Sequence, residues 1–211
     1  MNSYTFPFET CEKVRDCIAQ PYSAFMNLMS CLIFVYFLLK TKSPYVFCFL
    51  FSALLFEGLH TFSHCIHIPG CMQQTIVHYL AIITNISFFT LYYVYAKNHN
   101  YLIYLLIFMM FIADIYMFTM NYQFIYTVFT QFIIFMIILS LFYLSFDTSK
   151  QHLIVLVILF SILALSFIVN EKMNGKEMLA WWPDFPFHIF IELCGVVIAY
   201  YLSITFYDID V

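Results

Sequence analysis

Seven apolar runs fill almost the whole chain, each close to the roughly 20 residues that a helix needs to cross a bilayer core of about 30 Å. They fall near 22–40, 44–67, 73–95, 100–119, 121–146, 151–170 and 184–206, parted by short polar breaks such as "KTKSP", "KNHN" and "DTSK". Unbroken stretches like "FIIFMIILSLFYL" lack the period-two alternation of barrel strands, so the pattern predicts helices. Composition points the same way. Of 211 residues, 64% are hydrophobic and 9% charged, against about 25% charged in soluble domains, which leaves too little polar material to cover a water-facing surface. The expected fold is an all-α integral membrane bundle of seven transmembrane helices. It comprises a polar amino-terminal segment at 1–21, the helical domain at 22–206 and a tail at 207–211. No internal repeat or second domain is visible.

The formal net charge of −4 is small and its carriers are scattered, which excludes a nucleic-acid partner. Seven cysteines form no paired CxxC zinc site. Residues 1–21 hold Glu9, Glu12, Lys13, Arg15 and Asp16 but no apolar signal core, so the first run is expected to insert as an uncleaved anchor. Lys40, Lys42, Lys97 and Lys150 fall on one side of the bundle, and Lys13, Arg15, Lys172 and Lys176 on the other. The positive-inside rule therefore leaves the orientation open.

Ionisable groups inside a membrane cost about 2.5–3.5 kcal/mol each on insertion scales, so each calls for a partner or a purpose. In "FEGLHTFSHCIH", Glu57, His60, His64 and His67 recur at steps of three, four and three, which sets them on one helical stripe with Ser63 beside it. Asp184, His188 and Glu192 follow at four-residue steps in the last run, and His78 opens the third. The end of the second run and the starts of the third and seventh share one side of the membrane. His67, His78, His188 and Glu192 are thus expected at one depth, in one pocket. Imidazoles and a carboxylate converging there describe a zinc site with a position open to water, whose pKa such a metal lowers to about 7. Taken singly, His60 and His64 read as hydrogen-bonded contacts between helices, as do Asp114, Asn27 and Asn85. His99 and His152 are expected in solvated loops on the opposite side.

Three segments resemble the alkaline ceramidases, part of a superfamily of seven-span membrane hydrolases that includes the adiponectin-type receptors. They are "CEKVRDCIAQPYSAFMNLMSCLIF", "SHCIH" followed eleven residues on by His78, and "HIFIELCG". The resemblance implies that His67 and His188 are zinc ligands and that Ser63 polarises the substrate carbonyl or holds the attacking water. Glu192 stands where the family has a third zinc-binding histidine, and His78 where it has an aspartate that orients or deprotonates the water. Either Glu192 completes the metal and His78 acts as base, or His78 joins the metal and Glu192 is the base. Glu9 and Glu12 match acidic positions of the family's calcium segment, but Gln20 and Val14 replace expected oxygen ligands. Calcium is expected to bind weakly or not at all.

The implied activity is zinc-dependent hydrolysis of the amide of a ceramide-like membrane lipid to a sphingoid base and a fatty acid, in an endomembrane of endoplasmic reticulum or Golgi type. Two alternatives stay open. One is a catalytically inactive receptor-like or accessory protein with a structural metal; the other is a proton-coupled transporter using Glu57, Asp114 and the histidines as a relay.

Overall fold

Two prolines start the bundle. Pro21 and Pro44 each stand in the first turn of a helix, where the missing N–H costs nothing and the fixed φ suits the helical backbone. Ser43 caps the second of these by accepting from the backbone N–H groups of Tyr45 and Val46 at 3.2 and 3.3 Å. The computed structural model describes residues 5–6, 18–66, 68–142, 145, 149–172 and 189–210. Among these, seven helices follow one another: α1 (Pro21–Leu38), α2 (Pro44–Cys65), α3 (Gly70–Tyr95), α4 (Tyr101–Thr119), α5 (Phe124–Leu141), α6 (Lys150–Lys172) and α7 (Ile189–Asp210). The last runs through the segment expected to be a tail as far as Asp210. Asn121 makes the tight turn between α4 and α5 with φ 54°, a left-handed conformation that asparagine tolerates better than most residues. One short antiparallel pairing departs from the purely helical expectation: β1 (Thr5–Phe6) against β2 (Ile68–Pro69), with Phe6 opposite Ile68.

Each helix packs on the next in sequence, and α7 closes back onto α1. Two additional contacts cross the ring, α3 with α5 and α2 with α7. Helices α1, α2, α3, α4 and α7 are long and apolar enough to cross a membrane. Shorter apolar stretches, Tyr126–Leu141 and Lys150–Leu163, lie in α5 and α6. Large apolar side chains such as Phe25, Leu32, Ile83, Phe108, Ile154 and Phe190 face outward, a surface that lipid rather than water would solvate.

The interior is divided along its length. At the end where α2, α4 and α6 begin, a plug of buried phenylalanines forms. Phe49 and Phe206 have ring centroids 4.4 Å apart, and Phe88 lies 5.5 Å from Phe49 and 5.7 Å from Phe142. The connections at this end are tied by Tyr95, whose hydroxyl donates to Ser43 Oγ at 2.6 Å, and by a 2.8 Å contact between the hydroxyls of Tyr92 and Ser145. His152, expected in a loop, lies in α6 with Nδ1 3.6 Å from Asp208 Oδ2 of α7. His99 does lie in the exposed connection after α3, with Nδ1 2.8 Å from the Tyr104 hydroxyl. At the opposite end the inward side chains are polar: Gln20, Ser23, Asn27 and Ser30 of α1, His64 of α2, Gln73 and Gln74 of α3, Asp114 of α4 and Glu192 of α7 are all buried. That polar half holds the candidate site.

Candidate metal centre

Helix α2 carries Glu57, His60 and His64 on one face over its last turns, and Glu192 lies in the first turn of α7. Because α2 packs on α7 and both pack on α1, these groups meet. His60 Nε2 is 3.0 Å from His64 Nε2, His64 Nε2 is 3.3 Å from Glu192 Oε1, and His60 Nε2 is 3.7 Å from the same oxygen. Ligands about 2.0–2.1 Å from a tetrahedral zinc stand about 3.3 Å from one another, so this triangle has the size of one face of a zinc coordination sphere. Among the described residues it is the one group of three or more such side chains able to hold a metal.

The outer partners of the imidazoles fix which nitrogen faces inward. His64 Nδ1 donates to Gln20 Oε1, and His60 Nδ1 points at Glu57 Oε2, 3.8 Å away. Gln20 is itself anchored, its backbone N–H bonded to the carbonyl of His64 at 3.0 Å. With His64 Nδ1 bonded outward, its Nε2 meets His60 Nε2 at hydrogen-bond distance with Glu192 Oε1 beside both, an arrangement able to share a proton or to hold a metal ion. His64 and Glu192 are closed off, with side chains 0% and 3% exposed, whereas His60 is 38% exposed, so the centre has one open edge.

Gln20→Ala is expected to lower zinc affinity by about 10- to 100-fold without abolishing binding, because it frees His64 to rotate while leaving the ligand set intact. Competition with a chromogenic chelator measures this. Unchanged affinity would show that Gln20 does not orient the ring.

The other residues singled out from sequence fall as follows. Ser63 is buried, and its hydroxyl donates to the carbonyl of His60 at 2.7 Å, engaged by its own helix. His78 turns toward α4, with Nδ1 2.8 Å from Asp114 Oδ2 and its ring stacked on Phe118 at 4.0 Å. His67, His188, Asp184, Glu9 and Glu12 lie outside the described residues. Asn27 and Asn85, expected as satisfied contacts between helices, are buried, and among the described residues neither amide atom of either one is hydrogen-bonded. From sequence His60 and His64 share the stripe and, taken singly, read as contacts between helices; the structure brings both beside Glu192. Sequence reasoning found no orienting role for Gln20, which had been weighed only as a calcium position. No family model, characterised protein or solved structure matches the chain.

Proposed function

We propose that the chain is a seven-span membrane protein whose His60, His64 and Glu192 hold a zinc ion, and that it hydrolyses the amide of a ceramide-like lipid. The observation that carries this reading is the convergence of two imidazole nitrogens and one carboxylate oxygen at about tetrahedral-edge distances, with the outer nitrogen of His64 bonded to Gln20. Two histidines and a glutamate are an established hydrolytic zinc set. A zinc ion bound there would supply Lewis acidity toward a carbonyl and bring the pKa of water down to about 7.

The chain's own groups supply the rest. Glu192 and His64, closed off from solvent, keep the local dielectric low, which strengthens every charge interaction with a polarised carbonyl. The open edge at His60 faces the side from which a substrate can arrive. Glu57, one turn before His60 with its carboxylate 20% exposed, is placed to hold a proton at Oε2. The position of the centre near helix ends suits a lipid whose scissile amide lies at the headgroup boundary. His67 and His188, the zinc ligands that the family resemblance implies, lie outside the described residues, and His60 and His64 are proposed in their place. An endomembrane location rests on the family resemblance.

The test is a metal assay and a turnover assay on the same purified protein. We expect one zinc per chain by mass spectrometry. Release of fatty acid from ceramide-containing vesicles should stop on chelation and return with added zinc. A loaded site with no product at any acyl length would leave a structural metal in a receptor-like or accessory protein. No bound metal would sink both.

A further inference from the structure

The inward face of α1 changes character along its length. Gln20, Ser23, Asn27 and Ser30 recur at steps of three, four and three, so they share one stripe, which continues as Phe34 and Phe37 in the aromatic half. The stripe begins at the candidate centre, where Gln20 holds His64. On either side of α1 stand α2 and α7, the helices that bear the ligands. Two contacts fix the depth: the Gln20 N–H meets the His64 carbonyl, and Cys31 Sγ lies 3.6 Å from Thr61 Oγ1. They bracket Asn27 between the levels of His64 and Thr61, the latter adjoining His60.

Asn27 and Ser30 are both 0% exposed, and among the described residues Asn27 Nδ2, Asn27 Oδ1 and Ser30 Oγ have no hydrogen-bond partner. A buried amide left unpaired on both atoms is destabilising, and helix packing alone could dispense with it by placing an aliphatic residue there. We propose that Asn27 and Ser30 form the subsite that holds the polar neck of the lipid beside the metal centre, and that they select lipids bearing an N–H or O–H over lipids joined by esters alone. The proposal rests on the reading that this centre acts on a lipid.

The selection follows from the groups on the two sides. A carboxamide both donates and accepts, and a hydroxyl does the same. A secondary amide or a hydroxylated neck can satisfy Asn27 Nδ2 and Oδ1 together. An ester has only acceptors, so it leaves Asn27 Oδ1 unpaired in a dry interior.

The experiment uses the full chain, zinc-loaded, in nanodiscs, with two fluorescent lipids of matched chain length. One is an N-acyl amide with a free hydroxyl; the other is its O-acyl, O-methylated counterpart. Wild type should bind the amide about 10- to 100-fold more tightly, the range of one or two unpaired buried groups. Asn27→Leu should bring the ratio to about unity at unchanged zinc content, since an alkyl chain makes no distinction between the two necks. Equal binding by wild type, or a preference that survives Asn27→Leu with zinc in place, would overturn the proposal and leave Asn27 satisfied by water. Should Asn27→Leu lose zinc through misfolding, Ser30→Ala removes a single hydroxyl and must still cut the preference several-fold; no change there overturns it equally. Preference without hydrolysis would sink the hydrolase reading and leave the subsite standing.

Discussion

Zinc content should fall from one per chain to background in each of His60→Ala, His64→Ala and Glu192→Ala, with lipid amidase activity falling alongside it. Each substitution removes one corner of the triangle and leaves two ligands, so the loss of affinity should exceed the roughly 100-fold ceiling of a change in an outer partner such as Gln20. His60→Ala is the decisive variant. Its side chain is 38% exposed, it reads from sequence as a packing residue, and its loss should cost little if packing is all it does. Metal measured by mass spectrometry, with chelator competition for residual affinity, gives the answer. Full zinc in His60→Ala would remove it from the centre. Stability offers an independent check through linkage: at a free zinc concentration about 1,000 times the dissociation constant, wild type gains about 4 kcal/mol against unfolding. A variant that cannot bind gains nothing, so the zinc-induced rise in melting temperature should vanish along with the metal.

The helices were legible because long unbroken apolar runs leave backbone groups to pair within their own segment, and among the described residues the seven helices follow those runs in order with boundaries a few residues adrift. The polar stripe on α2 was legible for the same reason: charged groups there have few explanations. The choice of ligands along that stripe was harder. Counting His67 with His60 and His64 assumes helical spacing through residue 67. Helix α2 stops at Cys65, and Ile66 is already extended, with φ −134° and ψ 160°. The sign was Pro69, since a residue before proline is pushed out of the helical region and helices end ahead of it. Beyond a helix end, helical spacing alone says nothing of where a side chain stands. Glu192 was singled out as a candidate because a carboxylate in the first turn of an apolar helix stands out, and it meets His60 and His64. Its meeting with α2 depends on α7 closing the ring, a long-range contact that no local pattern encodes. Gln20 sat just before Pro21, a capping position by sequence, yet its bond to His64 spans 44 residues. The pairing of His78 with Asp114 was hidden for the same reason, although each residue was noticed separately.

That pair carries the largest expected effect on stability. His78 and Asp114 join α3 to α4 where both pack against α5, and Asp114 is fully buried while His78 is 12% exposed. The register of α4 on α5 is set one turn away, where Gln131 Nε2 donates to the carbonyl of Met110 at 3.0 Å. Stepping one turn along each antiparallel helix brings Thr127, also buried, level with Asp114. Replacing Asp114 with alanine leaves the imidazole in this junction without its carboxylate partner, and stranding a buried polar group from one side costs about 1–3 kcal/mol. His78→Ala should cost a comparable amount by stranding the carboxylate. Replacing both, as His78→Phe with Asp114→Leu, removes the polarity together and should recover most of the loss, since Phe118 already stacks on the ring at position 78. Unfolding free energies in mixed micelles across the four proteins give a double-mutant cycle, with an expected coupling of about 2–3 kcal/mol, toward the upper end for contacting residues. Single variants within about 1 kcal/mol of wild type would mean the pair is only loosely engaged, as many polar contacts between membrane helices are. The same proteins decide between the two roles that sequence left open for His78. A pair that belongs to the α3–α4–α5 junction should leave zinc bound in the refolded double variant. Loss of metal from a folded His78→Phe, Asp114→Leu protein would bring His78 back to the centre as a ligand or base.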